Sequence, residues 1–403
     1  MTRTSSPPTG GSVSAVAKAV TAATLGPFPG FLTGSLAVFI SDDIALGPRG
    51  VGIAVAVLFV SAAATSVFAG ARVQRVGSRW SLTASAFLAG VALLGIAASG
   101  AWWHLAVWLT FAGVGNAIAQ PAANLLIAGV ISDRRLGTAF GVKQSAIPAA
   151  TLVAGLAVPV IGGGLGWRWA FVIGAGIAWS FALLAACSPE SRDVAQRGAT
   201  RPSGTGTRMS VLVVLTIGGG LGAASATTLG AFLVATGIEA GLQPGRSGFL
   251  VSVASVVGIA SRITYGFLLD LEHPRAPRNA FRFVAVLLGL GGAPFLVLSL
   301  NAAALFFVAS LGGYVIAWGF MGVFHFGIVR ENRASAASAT GVIMVGTTLG
   351  AGLGPLGFGI LVEAFSYPVA WVATAGVSVT AAAFVLIGER LLERSRPAVP
   401  QAS

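Results

Sequence analysis

Residues 48–70 of this chain overlie residues 244–266 without a gap when the sequence is shifted by 196 positions. Pro48, Gly52, Val55, Val57, Val60, Ala64 and Gly70 fall on Pro244, Gly248, Val251, Val253, Val256, Ala260 and Gly266. Each copy is a short polar turn followed by an apolar run that ends on glycine, so the duplicated unit is a helix with its flanking loop. The chain must fold as two similar halves.

The solvent of those halves follows from composition. Apolar residues make up 55% of the 403 residues and charged residues 9%, against about 25% charged in a soluble domain. So little charge cannot keep a globule of this size in water, and lipid must be the main solvent. Twelve apolar runs approach the roughly 20 residues that cross a bilayer as a helix. They are about Ala19 to Ile40, Val51 to Ala71, Leu82 to Gly100, Leu105 to Ile131, Leu136 to Gly164 and Trp169 to Cys187 in the first half. In the second half they are Val211 to Thr236, Phe249 to Leu269, Phe283 to Leu300, Ala302 to Val329, Ala336 to Val362 and Val369 to Gly388. These are spans one to twelve below. The lone Cys187 excludes an internal disulfide, and no His/Cys group has metal-ligand spacing. No cofactor or metal is expected, and no nucleotide loop or nucleophile–base pair points to an enzyme.

A net charge of +12 would suggest nucleic acid in a soluble protein. Here the basic residues sort by topology instead. With the N-terminus in the cytoplasm, 19 of the 24 Lys and Arg fall in cytoplasmic tails and loops, three outside (Arg49, Arg168, Arg246) and two within spans (Lys143, Arg262). The positive-inside rule therefore puts both termini in the cytoplasm, and the basic surplus faces anionic lipid headgroups rather than nucleic acid. Residues 1–14 read as a disordered tail, 15–188 as an N-terminal six-helix bundle, and 189–209 as a cytoplasmic linker with Arg192, Arg197, Arg201 and Pro202. Residues 210–388 form the second six-helix bundle and 389–403 a polar cytoplasmic tail. Asp42 and Asp43 read as an exposed loop. A monomer in the cytoplasmic membrane is expected.

Halved, duplicated membrane chains are the mark of secondary transporters, whose substrate sits between the halves. Polar groups inside spans are costly in hydrocarbon unless they face a cavity or a partner. Span four offers Asn116, Gln120 and Asn124, spaced i, i+4, i+8 on one helical face; they line a cavity or bond to a neighbouring helix. Span ten carries Tyr314, Trp318 and His325 near one face, an aromatic wall with a histidine as a candidate for coupling. Lys143 lies seven residues inside Leu136 and Arg262 seven inside Leu269, each about 10 Å from the cytoplasmic end of its helix at 1.5 Å per residue. No Asp or Glu lies inside any span to neutralise them, so an anionic ligand would supply the balance. Alternatively Lys143 snorkels to the interface and Arg262 bonds to backbone carbonyls. Pro27 and Pro29 in span one, and Gly218, Gly219, Gly220 and Gly222 in span seven, weaken corresponding helices of the two halves.

Four motifs resemble the major facilitator superfamily across nearly the whole chain. Gly70-Ala71-Arg72-Val73-Gln74-Arg75-Val76-Gly77-Ser78-Arg79 is similar to that family's loop motif G-x-x-x-D-x-x-G-x-R/K, with Gln74 in place of aspartate. Its second-half copy, Gly266-Phe267-Leu268-Leu269-Asp270, keeps the acid and loses the next glycine. Residues Gly155 to Gly163 resemble G-x-x-x-G-P-x-x-G-G without its second glycine, and Gly166-Trp167-Arg168-Trp169-Ala170-Phe171 is typical of the link between spans five and six. The resemblance implies an all-α membrane fold of twelve helices in two pseudo-symmetric six-helix bundles that rock about a central site. It also implies that spans five and eight adjoin, so that Lys143 and Arg262 share one cavity. Ser261 to Gly266, followed by Asp270, is similar to the eighth helix of monocarboxylate and oxalate porters, which implies that Arg262 meets a substrate carboxylate.

The loop residues have physical roles of their own. The turn after span two needs glycine where the backbone takes positive φ, and Arg75 and Arg79 can bond helix C-terminal carbonyls or lipid phosphates. Gln74 cannot supply the charge of a latch to the other bundle, whereas Asp270 can. The reading that results is alternating-access transport of a small organic anion, by uniport or proton symport. Its substrate-binding residues are Asn116, Gln120, Asn124, Lys143, Arg262, Tyr314 and Trp318, and its coupling or gating residues are Arg75, Arg79, Asp270 and His325. Proton-coupled multidrug or metabolite efflux is the alternative within transport, and a non-transporting membrane sensor of the same fold is the alternative of another class.

Overall fold

The structure is a computed structural model that describes residues 10–44, 46–128, 136–162, 164–188, 207–271, 276–332 and 336–395. Among these residues ten helices are long and apolar enough to cross a membrane, with Val13–Leu25 as a shorter apolar helix, and no strand occurs. The ten are the expected spans two, three and five to twelve. Span one is divided into Gly10–Leu25, Phe28–Ser35 and Ala37–Ile44. Span four is the helix Trp102–Ala128, whose apolar run is interrupted by Asn116, Gln120, Pro121 and Asn124. Side chains such as Phe68 (74% exposed), Val160 (70%) and Leu183 (69%) face outward, an arrangement suited to hydrocarbon and not to water.

Three boundaries differ from those read in the sequence. The first helix already begins at Gly10, inside the tail expected to be disordered to residue 14, because a spanning helix runs on until water can satisfy its first amides. Met209, assigned to the linker, opens the helix of span seven; residues 189–206 lie outside the described residues, as do 1–9 and 396–403. Span twelve continues as Tyr367–Ser395 past the expected end at residue 388. Glu389 and Glu393, one turn apart, meet Arg282 of span nine at 2.6 and 3.0 Å and hold that polar turn in helix. Asp42 and Asp43 close the helix Ala37–Ile44 instead of forming a loop.

The helices that matter most are broken, span five beside Pro148 and span ten without any proline. In span five, Leu136–Gln144 ends one residue before Ala146–Ala157 begins, and a π turn follows at Val158–Gly162. Pro148 has no N–H to give to the carbonyl of Gln144, so that acceptor is free. Span ten is likewise divided into Ala303–Gly312, a π turn at Gly313–Ala317, and Phe320–Glu331. Such turns interrupt the i→i−4 ladder and leave carbonyls to be satisfied from outside.

The duplication noted in the sequence builds the seams between the bundles. Spans two and eleven pack along one seam and spans five and eight along its symmetry equivalent. A Cβ added at Gly52 would lie 2.5 Å from the Pro355 carbonyl, and one at its repeat, Gly248, 2.6 Å from the Gly155 carbonyl. Close backbone approach of this kind is how helices associate where no water drives them together. Both contacts sit at the end of the bundle away from Gly10 and Ser395, here the distal end. At the proximal end the symmetry fails. Gly266 meets the Gly137 carbonyl, where a Cβ would come within 2.4 Å, whereas Gly70, its repeat, has open space.

Candidate functional site

A cavity of about 70 Å³ lies between the bundles, room for a handful of waters or a very small solute. Six of its lining residues carry most of its chemistry: Asn116, Gln120, Lys143, Gln144, Trp318 and His325. Phe31 packs edge-on against both Phe59 and Trp318, with ring centroids 6.4 and 5.8 Å apart, and closes the distal side. Met321, Met344, Thr227 and Thr347 are also part of the wall. Among the described residues no Asp or Glu lines the cavity.

Lys143 is 4% exposed and forms no salt bridge or hydrogen bond among the described residues. It therefore does not snorkel to the interface. Asn116 is buried against Gly26, at the first break of span one, and Gln120 approaches its side-chain oxygen at 3.5 Å, the limit of a hydrogen bond. Asn124, the third amide of the stripe, does not reach the cavity.

Arg262 is 1% exposed but stands one layer behind the cavity. Its guanidinium donates to the Gln144 carbonyl and, at 2.8 Å, to the Trp318 carbonyl, and lies 5.4 Å from the Trp318 ring. These are the acceptors exposed at the breaks of spans five and ten, so one side chain of span eight satisfies both. The fork expected to meet a substrate carboxylate is occupied by backbone. Tyr265, one turn along span eight, donates to the Val315 carbonyl in the π turn at 3.2 Å. Tyr314 is buried outside the cavity wall, its hydroxyl beside the Thr151–Ser255 pair but without a well-formed hydrogen bond. Gln144 was not among the residues expected here. Pro148, four residues on, is the signal that marks it.

His325 lines the cavity. Its Nδ1 lies 2.8 Å from the Met321 carbonyl and 3.1 Å from the amide of Gln144, across the bundle interface. Nε2 has no partner among the described residues.

The gating candidates divide by bundle. Asp270 accepts hydrogen bonds from the backbone N–H of Gly137 and Thr138, both at 2.8 Å, and from the Thr138 hydroxyl at 2.7 Å. A span-eight carboxylate thus caps the first turn of span five in the other bundle, with the helix dipole in its favour. Gln74, its counterpart, is exposed, as is Arg75. Arg79 donates to the Ala186 carbonyl at the end of span six, inside its own bundle, next to a Gly77 with φ of 88°. At the distal end, hydrogen bonds from Trp167 and Arg168 hold the Asp43 carboxyl below its usual range. Replacing Asp270 with asparagine removes a charge-assisted clasp worth about 1.5–3 kcal/mol. A cysteine placed at Met344, in a Cys187→Ser background, should then react with impermeant maleimide from the proximal side about tenfold faster or more. An unchanged rate would mean that the clasp does not close that end.

Comparison with known proteins points one way. The model of the Major Facilitator Superfamily matches residues 20–340. No curated protein matched in sequence. Among solved structures, a bacterial homolog to the human lysosomal transporter Spinster, in an inward-facing and unoccupied conformation, superposes with a TM-score of 0.71 at 16% identity. The match covers 98% of this chain and 100% of that one. The inward-facing and occupied form gives 0.70 at 18% identity over the same shares.

Proposed function

This chain belongs to the major facilitator superfamily, and on that premise we propose that it carries a small organic anion, a carboxylate, by alternating access, as a uniporter or with a proton. It is a multi-pass membrane transporter by family; the anion is our reading of the site. Lys143 carries it. A buried ammonium without a carboxylate partner is costly, and a protein that keeps one in a cavity free of acids has a use for an anion there. The bound carboxylate would meet Lys143 and the amides of Asn116 and Gln120, with its carbon skeleton against Trp318 and Phe31. The proximal clasp by Asp270 and the distal backbone contacts are then the two ends of the rocking motion, the substrate lying between them.

A second reading, efflux of bulkier amphipathic compounds, draws support from the aromatic and methionine wall, since methionine adapts to varied shapes. Uptake into liposomes containing the purified protein separates the two. Labelled acetate, lactate and oxalate are expected to show saturable uptake that other carboxylates inhibit and their neutral amides do not. Preference for cationic dyes would overturn the anion reading in favour of efflux. The charge count also leads us to place both termini in the cytoplasm; a cysteine at Gly47 that reacts with impermeant maleimide only in inside-out vesicles would reverse that orientation.

A further inference from the structure

His325 holds its hydrogen in a place that leaves one nitrogen bare. A carbonyl can only accept, so Nδ1, 2.8 Å from the Met321 oxygen, carries the ring hydrogen. The Gln144 amide then turns its oxygen toward Nδ1, because the nitrogen placed there at 3.1 Å would set donor against donor. In this tautomer Nε2 is a lone pair with no partner among the described residues, on a side chain 5% exposed that lines the cavity.

We propose that Nε2 of His325 carries the transported proton, which makes the protein an anion–proton symporter. The inference rests on the organic-anion reading of the same cavity. Apart from Lys143, no other titratable side chain among the described residues lines that cavity; spans one, two, four, seven and eleven bring none to it. Behind it, Arg262 of span eight is engaged by backbone carbonyls, and the Tyr314 hydroxyl faces the Thr151–Ser255 pair. Protonation adds a hydrogen at Nε2 and leaves the Nδ1 contacts in place. Nε2 is sealed from solvent in this conformation; once the cavity admits a carboxylate beside Lys143, the new N–H donates to it as a charge-assisted bond. Without the anion, the same proton would put two cations in one buried space. Each ligand therefore strengthens binding of the other, and the coupling is reciprocal. The proton leaves with the anion when the cavity opens to the other side.

The test is linkage. For the carboxylate with the largest uptake among acetate, lactate and oxalate, affinity is measured by tryptophan fluorescence between about pH 6 and 9. In the wild type it should fall as pH rises, by up to about tenfold per unit where the complex is protonated and the free protein is not. In His325→Gln, affinity should be flat with pH and close to the wild-type value at high pH. Exchange of labelled for unlabelled anion should persist at a reduced rate, while accumulation driven by an inward proton gradient is lost. If His325→Gln and His325→Asn both keep the pH dependence, the proton rides elsewhere and the proposal is overturned. If both lose anion binding at every pH, Nε2 is a substrate contact or a structural group, and it is overturned equally. A wild type that carries carboxylate with pH-flat affinity removes the proton assignment alone; one that carries no carboxylate removes the anion reading with it.

Discussion

Arg262→Met should give a protein that is markedly less stable and transports almost nothing. The methionine fills space but leaves the Gln144 and Trp318 carbonyls without their donor in a fully buried layer. Stranding a buried acceptor costs about 1–3 kcal/mol, so the pair amounts to roughly 2–6 kcal/mol before relaxation. An ammonium lacks the planar fork that reaches both oxygens at once, so Arg262→Lys should recover part of the stability and transport at least about tenfold more slowly. Because Arg262 does not face the cavity, the lysine variant's affinity for anion should change by less than about tenfold. Pro148→Ala offers a rescue specific to this arrangement. Alanine restores the N–H that proline withholds from the Gln144 carbonyl, so the double variant with Arg262→Met should be more stable than the sum of the single changes predicts. Melting of the purified protein in detergent, followed with anion binding, reads all three. Near-wild-type stability together with a loss of affinity beyond about a hundredfold would return Arg262 to the role of substrate ligand.

The difference between a ligand and a tether shows what this sequence makes legible. Spans and halves are written in long apolar runs and in a repeated pattern of small residues, because a bilayer forces every backbone group to pair within a helix. The contact of Asp270 with the other bundle was equally readable: it is an acid at a span end in the copy of a motif whose first instance has Gln74. Convergence on the cavity was readable for Asn116, Gln120, Lys143, Trp318 and His325, each a polar or aromatic residue near the middle of a span. Asn124 was lost because eight residues at 100° each turn the stripe by about 80° beyond two full turns, with Pro121 in between. Arg262 was read two ways, as a substrate ligand or as a donor to backbone carbonyls; the structure shows the second, and the sequence alone could not choose, since one acceptor is free only because Pro148 stands four residues later in another span. Tyr314 sits on the π turn of span ten, which displaces it from the face that Trp318 and His325 share. Local interruptions of helices decide which side chains face the cavity; the one in span five is marked by Pro148, whereas the π turn of span ten has no such mark in its run of apolar letters.

Lys143→Met should separate function from stability in the opposite direction to Arg262. Lys143 is buried and unpaired among the described residues, so removing its charge relieves a desolvation penalty, and a well-packed apolar side chain there should raise the melting temperature. Transport should suffer. A charge-assisted bond to a carboxylate contributes about 1.5–3 kcal/mol, so the apparent substrate constant should rise by about ten- to a hundredfold or more. Lys143→Arg keeps the charge and should stay within about tenfold of the wild type, whereas Lys143→Gln should behave like the methionine variant, since an amide offers a donor without the charge. Selectivity should shift as well: the neutral amides that fail to compete in the wild type should lose their disadvantage in Lys143→Met. A site that binds its ligand at the expense of the resting fold is expected to gain stability when the costly group is removed. If Lys143→Met is instead less stable and keeps its affinity, the ammonium is a structural group and the organic-anion reading loses its main support.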